Sequence, residues 1–187
     1  MNTLRIISGT AKGMRIATVP GDTTRPITDR VKESLFNILG PEIQDSRFLD
    51  LFGGTGSVGI EALSRGAKFC RFIDKSSKAV SIIIDNLKHT RLSSNAEVLN
   101  HDAFRYLQSQ LDEPFDYIYI APPQYKQMWI EAIKYIDEHP EWLVDDGWVV
   151  VQIHPIEFEE IKFKNLEKLE QRKYGSTLLI FYERMMN

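Results

Sequence analysis

Residues 47–66 read RFLDLFGGTGSVGIEALSRG and decide the fold of this protein. An apolar β-type run leads into a glycine-rich turn, and a helical pattern follows at once. Gly54, Gly56 and Gly59 have the GxGxxG spacing, which is typical of loops that bind a nucleotide between a strand and a helix. Asp74 ends the next apolar run, where an acid can bind ribose hydroxyls. The stretch therefore predicts a nucleotide-type cofactor site at the end of a strand.

The same alternation of strand and helix patterns continues on the carboxyl side. We expect strands over 47–52, 68–74, 96–102, 115–121 and 147–154, and helices over 57–66, 76–92, 103–111 and 126–139. Such alternation predicts right-handed βαβ units, and therefore an α/β fold with a parallel sheet covered on both faces. Two β-runs around Tyr174-Gly175 predict a final hairpin, whose antiparallel strands make the sheet mixed.

A basic segment precedes this pattern. Residues 5–21 predict a hairpin, and TRPITDRVKESLFNIL over 24–39 predicts a helix with Thr28 as its N-cap. We expect one domain over 1–187, in which residues 1–45 form a basic hairpin and helix and residues 46–187 form the cofactor-binding core.

Composition excludes several classes of protein. The 187 residues are 43% hydrophobic and 26% charged, as in ordinary globular proteins, and Cys70 is the sole cysteine. A disulfide or a cysteine-bound metal is therefore excluded. The four histidines lack the spacing of a metal site, so no metal is expected. No stretch has the pattern of a signal peptide or the length of a membrane span, which predicts a cytoplasmic protein without membrane contact.

The charge is unevenly distributed along the chain. Residues 1–32 contain six basic and two acidic residues, which gives this segment a net charge of +4. Because the whole chain has a net charge of −3, the remaining residues carry −7. A polyanion such as a nucleic acid would be attracted to this segment. On charge alone, a solvated basic edge explains the segment equally well. The six basic residues are Arg5, Lys12, Arg15, Arg25, Arg30 and Lys32.

The glycine loop allows three interpretations. A dinucleotide would place its pyrophosphate near the helix N-terminus, where the carboxylate of Asp50 would be unfavourable. Asp50 instead suits a ligand with a cationic centre, such as S-adenosylmethionine, and it can also brace the loop through backbone N–H groups. Thr55 to Gly59 also approaches the GxSxG elbow of a hydrolase, with Ser57 as nucleophile and His154 as base. An elbow belongs on a central strand, so we favour a ligand-binding loop.

The motifs DLFGGTGSVGIEALSRGA (residues 50–67), Asp74 and a strand that ends in Pro-Pro-x-Tyr resemble class I S-adenosylmethionine-dependent methyltransferases. Together with SGTAKGMRI (8–16) and TRPITDRVKESLFNIL, they are similar to bacterial small-subunit ribosomal RNA guanine-N2 methyltransferases of the RsmD family. The resemblance covers almost the whole chain. It implies a seven-stranded mixed sheet of order 3-2-1-4-5-7-6, an N-terminal hairpin and helix, and methyl transfer to the N2 amine of a guanine in small-subunit ribosomal RNA.

The resemblance also implies roles for individual residues. Asp50 and the glycine loop would hold the methionine part of the cofactor, Asp74 the ribose, and the segment after the third core strand the adenine. Asp102 is at the same time a plausible N-cap of the following helix. The implied cofactor-binding residues are Asp50, Gly53, Gly54, Thr55, Gly56, Asp74, Lys75, Asp102, Ala103, Ala121 and Thr28. The implied RNA-binding residues are Arg5, Lys12, Arg15, Arg25 and Arg30, and the implied partner is ribosomal RNA or the small ribosomal subunit, bound by a monomer.

The candidate catalytic residues are Pro122, Pro123, Gln124 and Tyr125, in the corner that ends FDYIYIAPPQY (115–125). Relatives that methylate amines carry Asn or Asp, then Pro-Pro, then an aromatic. The polar oxygen accepts a hydrogen bond from the target amine, while the aromatic stacks on the extruded base. Here Ala121 replaces the acid or amide, and Gln124 is inserted before the tyrosine. Prolines fix φ, so they would hold such acceptors still.

Three explanations of Ala121 remain open. In the first, backbone carbonyls and Gln124 accept the hydrogen bond from the target amine. In the second, a carboxylate such as Asp29 accepts it. In the third, the protein is a weakly active relative that binds cofactor and RNA. We favour the first, because the cofactor loop and its acids are intact. Adenine-N6 methylation of DNA is an alternative reaction, because corners of this kind serve both amines.

Overall fold

A seven-stranded mixed sheet lies at the centre of the computed structural model, which describes residues 4–21, 26–124 and 126–186. The elements, in chain order, are β1 (Leu4–Arg5), β2 (Arg15–Ile16), α1 (Asp29–Leu39), β3 (Arg47–Asp50), α2 (Ser57–Ser64), β4 (Phe69–Asp74), α3 (Ser77–Thr90), β5 (Ala96–Asn100), α4 (Ala103–Leu107), β6 (Phe115–Ile120), α5 (Met128–Glu138), β7 (Leu143–Ile153), β8 (Leu166–Tyr174) and β9 (Thr177–Arg184).

The strand order of this sheet is β5-β4-β3-β6-β7-β9-β8. Strands β3 to β7 are parallel, and β9 is antiparallel to both of its neighbours. Counted from β3, the order is 3-2-1-4-5-7-6, so the predicted fold class is confirmed. The order reverses between β3 and β6, which both lie beside the glycine loop, and ligands of open α/β sheets bind at such a switch point.

Helices cover both faces of the sheet, because each central strand alternates its apolar side chains between two buried clusters. Phe48 on β3 and Tyr117 on β6 pack in one cluster, together with α1, α2, α3 and the N-terminal hairpin. Their neighbours Leu49 and Ile118 pack in the other cluster, with α4 and α5. At Gly59 a Cβ would lie 2.3 Å from a ring carbon of Phe72, so this glycine allows α2 to approach β4 closely.

Two elements differ from their predicted bounds. Helix α4 ends at Leu107 rather than 111; the Ser109 hydroxyl donates to the Tyr106 carbonyl (2.6 Å), a side-chain bond that competes with helix continuation. Strand β7 begins at Leu143 rather than 147, because Leu143 pairs with Phe115 across a shift in register. The other core elements agree with prediction to within a few residues at each end.

The N-terminal hairpin is held against α2 by the Ser64 hydroxyl. This oxygen donates to the Ser8 carbonyl (2.6 Å) and accepts from the Ala11 N–H (2.9 Å). At Gly9 a Cβ would overlap the Ser64 carbonyl, which explains a glycine in the hairpin turn. Within the ranges described, none of the helices combines the length and apolar character that crossing a membrane requires.

Candidate active site

The glycine loop and the proline corner leave neighbouring strands at the same edge of the sheet. Asp50, the last residue of β3, pairs with Tyr119 on β6, and the Leu51 N–H donates to the Tyr119 carbonyl (3.1 Å). On the other side Asp50 pairs with Phe72, two residues before Asp74 at the end of β4. The structure thus brings the predicted cofactor loop, ribose acid and catalytic corner to one edge.

The backbone of the loop requires its glycines. Gly54 and Gly56 have φ values of +58° and +79°, in the left-handed region that glycine adopts without strain. The Gly56 N–H donates to the Gly53 carbonyl (2.8 Å) and closes the turn. A Cβ placed on Gly54 would meet no atom within 4 Å. The loop is therefore fixed from within and open on the side where a ligand would lie.

Asp50 lies beneath the loop and is 1% exposed. One carboxylate oxygen accepts from the Gly59 N–H (3.4 Å), so the interpretation of Asp50 as a loop brace is confirmed. The other oxygen is buried and has no hydrogen-bond partner among the described residues. Burial, with a smaller contribution from Asp74, raises the pKa of Asp50 to about 8. A buried acid with a free oxygen fits a ligand that brings a positive charge.

Asp74 connects the loop to the following helix. Its two carboxylate oxygens accept from the Gly54 N–H (2.9 Å) and the Ser76 N–H (2.8 Å). Ser76 is the N-cap of α3, as one of the two predicted candidates. Each oxygen keeps a second lone pair with which it can accept from a ribose hydroxyl. Lys75 is exposed beside this acid.

Asp102 follows β5 and caps α4. Its side chain accepts from the Phe104 N–H (3.0 Å) and the Arg105 N–H (3.1 Å), which confirms the N-cap interpretation. Ala103 is buried directly after it. The two residues follow the strand that neighbours Asp74, so they lie at the edge of the sheet to which the predicted adenine site belongs.

The proline corner follows β6 without a break. Ala121 packs against the apolar cluster that contains Tyr119, and Pro122 and Pro123 are half-buried. Gln124 is exposed, while Tyr125 lies outside the described residues. The assignment of the acceptor to Gln124 and the backbone carbonyls of this corner stays a prediction.

The predicted RNA-binding residues that the structure describes lie on the surface. Lys12, Arg15 and Arg30 are exposed, and Arg25 lies outside the described residues. Arg5 is also exposed and forms an ion pair with Asp29 at 2.9 Å. Asp29, the alternative acceptor for a target amine, is thus engaged by a cation of the same segment.

Thr28 is the N-cap of α1, as predicted. Its hydroxyl accepts from the Val31 N–H at 3.3 Å. The hydrogen bond fixes the start of α1. No described contact connects Thr28 with the glycine loop, so its place in the cofactor site stays a prediction.

Lys32 forms a buried ionic cluster that the sequence reasoning missed. Its ammonium donates to the Arg5 carbonyl (2.6 Å) and the Ser57 hydroxyl (3.0 Å), and it lies 3.3 Å from Glu61 on α2. Glu61 also accepts from the Ile7 N–H (2.9 Å) and the Ser8 N–H (3.0 Å). Burial lowers the pKa of Lys32. The cluster joins α1 and the hairpin to the helix that follows the glycine loop.

Sequence signals for this cluster exist. Lys32 falls on the apolar stripe of α1, three residues before Leu35 and four before Phe36. Glu61 is charged inside a helix that is buried all round. A charged residue at a core position has to be paired, so each of them indicates a buried partner.

The contacts of Ser57 and His154 do not support a hydrolase. The Ser57 hydroxyl accepts from Lys32. The His154 side chain caps a 3₁₀ turn by accepting from the Ile156 N–H (3.2 Å). Among the residues with described positions, no three His, Cys, Asp or Glu side chains form a cluster that could hold a metal ion.

A sheet of this order, with a glycine loop after its first parallel strand and an acid after its second, defines the class I methyltransferase fold. Comparison with known proteins identifies the family. Residues 4–183 match the family model described as "Conserved hypothetical protein 95".

YlbH of Bacillus subtilis is 38% identical over 97% of this chain and 99% of its own length. Ribosomal RNA small subunit methyltransferase D of Escherichia coli is 35% identical over 80% of this chain and 74% of its own length. The solved structure of yhhF from Escherichia coli has a TM-score of 0.87 at 31% identity and covers 98% of this chain and 99% of that one. The chain therefore belongs to the RsmD methyltransferase family.

Proposed function

We propose that this protein transfers a methyl group from S-adenosylmethionine to the exocyclic N2 amine of a guanine in small-subunit ribosomal RNA. The observation that carries the proposal is the juxtaposition of the glycine loop and the proline corner, joined by the Leu51–Tyr119 backbone bond of 3.1 Å. Membership of the family, with the printed name of the Escherichia coli relative, supports ribosomal RNA as the substrate.

The described residues fit the cofactor. The free oxygen of Asp50 suits the ammonium of its methionine part, and the open side of Gly54 allows close approach to the backbone of Gly53–Gly56. Asp74 would accept from the ribose, with Lys75 beside it, while Asp102 and Ala103 would border the adenine and Thr28 and Ala121 would line the site. S-adenosylmethionine supplies a methyl group on a positively charged sulfur, which makes that carbon electrophilic.

The chain's contribution to the reaction is positioning. Pro122 and Pro123 hold the backbone carbonyls of the corner, and the Gln124 amide oxygen accepts a hydrogen bond from the target amine. Tyr125 stacks on the extruded base. Pro122, Pro123 and Gln124 would thus hold the amine with its lone pair toward the methyl group that bound S-adenosylmethionine would supply. Orientation of this kind accounts for much of the rate of bimolecular reactions on enzymes.

Basic residues of the N-terminal segment would bind RNA phosphates. Arg5, Lys12, Arg15, Arg25 and Arg30 are the candidates. We further propose that the chain acts as a monomeric single domain in the cytoplasm. Affinity for RNA should fall steeply with salt, since each neutralised phosphate releases counterions.

The test is an assay of labelled methyl transfer from S-adenosylmethionine to naked 16S ribosomal RNA, small ribosomal subunits and duplex DNA. Mass spectrometry of the digested product should show N2-methylguanosine. Methylated adenine in DNA would move the assignment to the alternative reaction. Binding of S-adenosylhomocysteine without turnover on any substrate would make the protein an inactive relative.

A further inference from the structure

The side chain of Asn86 on α3 connects the cofactor loop with the N-terminal segment. Its Nδ2 donates to the Thr55 carbonyl (2.9 Å) and to the Ala17 carbonyl (3.0 Å). Its Oδ1 accepts from the Ala17 N–H (2.8 Å). Asn86 is 2% exposed, and both of its amide hydrogens are used.

These contacts lie where the two parts of the proposed site meet. Thr55 stands between Gly54 and Gly56, so a bond to its carbonyl fixes the turn that faces the cofactor. Ala17 follows β2 and leads toward α1, the helix whose start belongs to the RNA-binding segment. The carboxamide therefore holds both backbone groups of Ala17 in the way that a neighbouring strand would.

A second attachment lies at the other end of the same segment. Lys32 on α1 binds the Arg5 carbonyl and the Ser57 hydroxyl, directly after the glycine loop. The hairpin and α1 are thus attached at both ends to the cofactor loop and its helix. The Asn86 attachment is the one that reaches the loop turn itself.

We propose that Asn86 is a positioning residue that couples cofactor binding to RNA binding. The inference rests on the proposed function, and it states how binding of the cofactor and binding of RNA affect each other. A cofactor that contacts the Thr55 turn acts through the same carboxamide on Ala17, so the free energy of binding at one site affects the other. The coupling is reciprocal: RNA tightens cofactor binding by the same factor.

The experiment measures this coupling factor directly. The dissociation constant of the protein for RNA is measured with and without saturating S-adenosylhomocysteine, and that for S-adenosylhomocysteine with and without RNA. The RNA probe is whichever of naked 16S ribosomal RNA or small ribosomal subunits accepts the methyl group. For the wild-type protein we expect a factor of about 5 or more, the lower end of coupling between binding sites.

Two variants test Asn86 from its two sides. Asn86→Asp keeps the shape and the acceptor for Ala17 N–H, but places a carboxylate against two carbonyl oxygens. Ala17→Pro removes the N–H from a residue whose own side chain is exposed, so it preserves the core. Both should bring the coupling factor close to 1, and Asn86→Asp should also weaken S-adenosylhomocysteine binding by about tenfold, since unpaired buried groups are costly.

Thr90→Val is the matched control. Thr90 is a buried polar residue on the same helix, but the described acceptors of its hydroxyl are the backbone carbonyls of Asn86 and Leu87 within α3 itself. This variant should lose stability while it keeps the wild-type coupling factor. Thermal unfolding of each variant shows whether it is folded.

The outcomes separate this inference from the proposed function. A wild-type protein that methylates RNA but has a coupling factor near 1 would overturn the inference alone. A coupling factor that stays at the wild-type value in both Asn86→Asp and Ala17→Pro would also overturn the inference. If Asn86→Asp does not fold, the coupling factor of Ala17→Pro decides. A wild-type protein that binds no S-adenosylhomocysteine would overturn the proposed function itself.

Discussion

Replacing Asp50 by asparagine should stabilise the ligand-free protein in a way that depends on pH. The carboxylate is buried beneath the glycine loop, one oxygen has no described partner, and the pKa is raised to about 8. Asparagine has nearly the same shape but cannot ionise. The difference in unfolding free energy between variant and wild type therefore isolates the cost of a buried negative charge.

The sign follows from the two states of the chain. In the unfolded protein the acid has its ordinary pKa of 3.8. Between pH 4 and 8 the folded protein holds a proton on Asp50 that the unfolded chain has lost, so a rise in pH favours unfolding. The stabilising contribution of the protonated Asp50 is complete below about pH 4 and disappears as the pH rises to 8. Each pH unit in this window costs about 1.4 kcal/mol, or up to about 4 kcal/mol from pH 5 to 8.

The assay is thermal or urea unfolding of both proteins at several pH values between 5 and 8, without ligand. Between pH 5 and pH 8 the stability advantage of Asp50→Asn over the wild type should grow by up to about 4 kcal/mol, or roughly 8–15 °C in melting temperature. Burial raises the pKa of Cys70 and of Tyr119 well above its ordinary value, so neither ionises in this window. A difference that does not change with pH would refute the reasoning.

The same substitution tests the contact with the cofactor. A cationic ligand beside Asp50 favours its ionised form, so binding of S-adenosylhomocysteine should release a proton at pH 7. Calorimetry in buffers with different ionisation enthalpies measures the released proton. The affinity of the wild-type protein for S-adenosylhomocysteine should rise between pH 6 and 8. Asp50→Asn should bind more weakly and release none. Equal affinity of the two proteins would leave Asp50 as a loop brace alone.

Three further substitutions test the site and its support. Gln124→Ala should lower the rate of methyl transfer by roughly 10²–10³ with little change in S-adenosylhomocysteine affinity, as expected for a lost hydrogen bond in the transition state; an unchanged rate would remove Gln124 as the acceptor. Gly59→Ala places a Cβ 2.3 Å from the Phe72 ring and should cost about 2–3 kcal/mol, seen as a fall of about 5–10 °C in melting temperature. Lys32→Met removes a buried cation that lies 3.3 Å from Glu61 and donates to the Arg5 carbonyl and the Ser57 hydroxyl, while Arg65 still pairs with Glu61 at 2.9 Å. It should cost about 2–3 kcal/mol in urea unfolding, whereas the same change at the exposed Lys68 should stay within about 0.5 kcal/mol.

Local patterns made much of the fold predictable. The glycine loop is specified by residues that are adjacent in sequence, since Gly54 and Gly56 need positive φ and Gly59 needs close packing. Thr28 and Asp102 were predictable as N-caps for the same reason, because a cap bonds to N–H groups only two or three residues later. The sheet order followed from the resemblance, and the alternation of strands and helices supports it.

Contacts between distant parts of the chain were not predictable in the same way. Asn86 binds Thr55 and Ala17, which are 31 and 69 residues away. In the helix SKAVSIIIDNLKHT it has the appearance of an ordinary polar surface position, and nothing next to it in sequence indicates burial. Lys32 and Glu61 carried a signal, as charges on apolar faces, but the signal indicates only that a partner exists. Pairing the two requires the packing of α1 against α2.

The contacts that three acids already make bear on which group accepts from the target amine at the proline corner. Asp29 pairs with Arg5, Asp102 accepts from two backbone N–H groups, and Asp74 accepts from two more. To move to a target amine at the corner, such an acid would have to leave these contacts, at a cost comparable to the hydrogen bond gained. Gln124 is exposed and directly follows the two prolines, and no described contact holds its amide elsewhere. Because of this difference in cost, we propose Gln124 and the carbonyls beside it as the acceptor, rather than a carboxylate from α1.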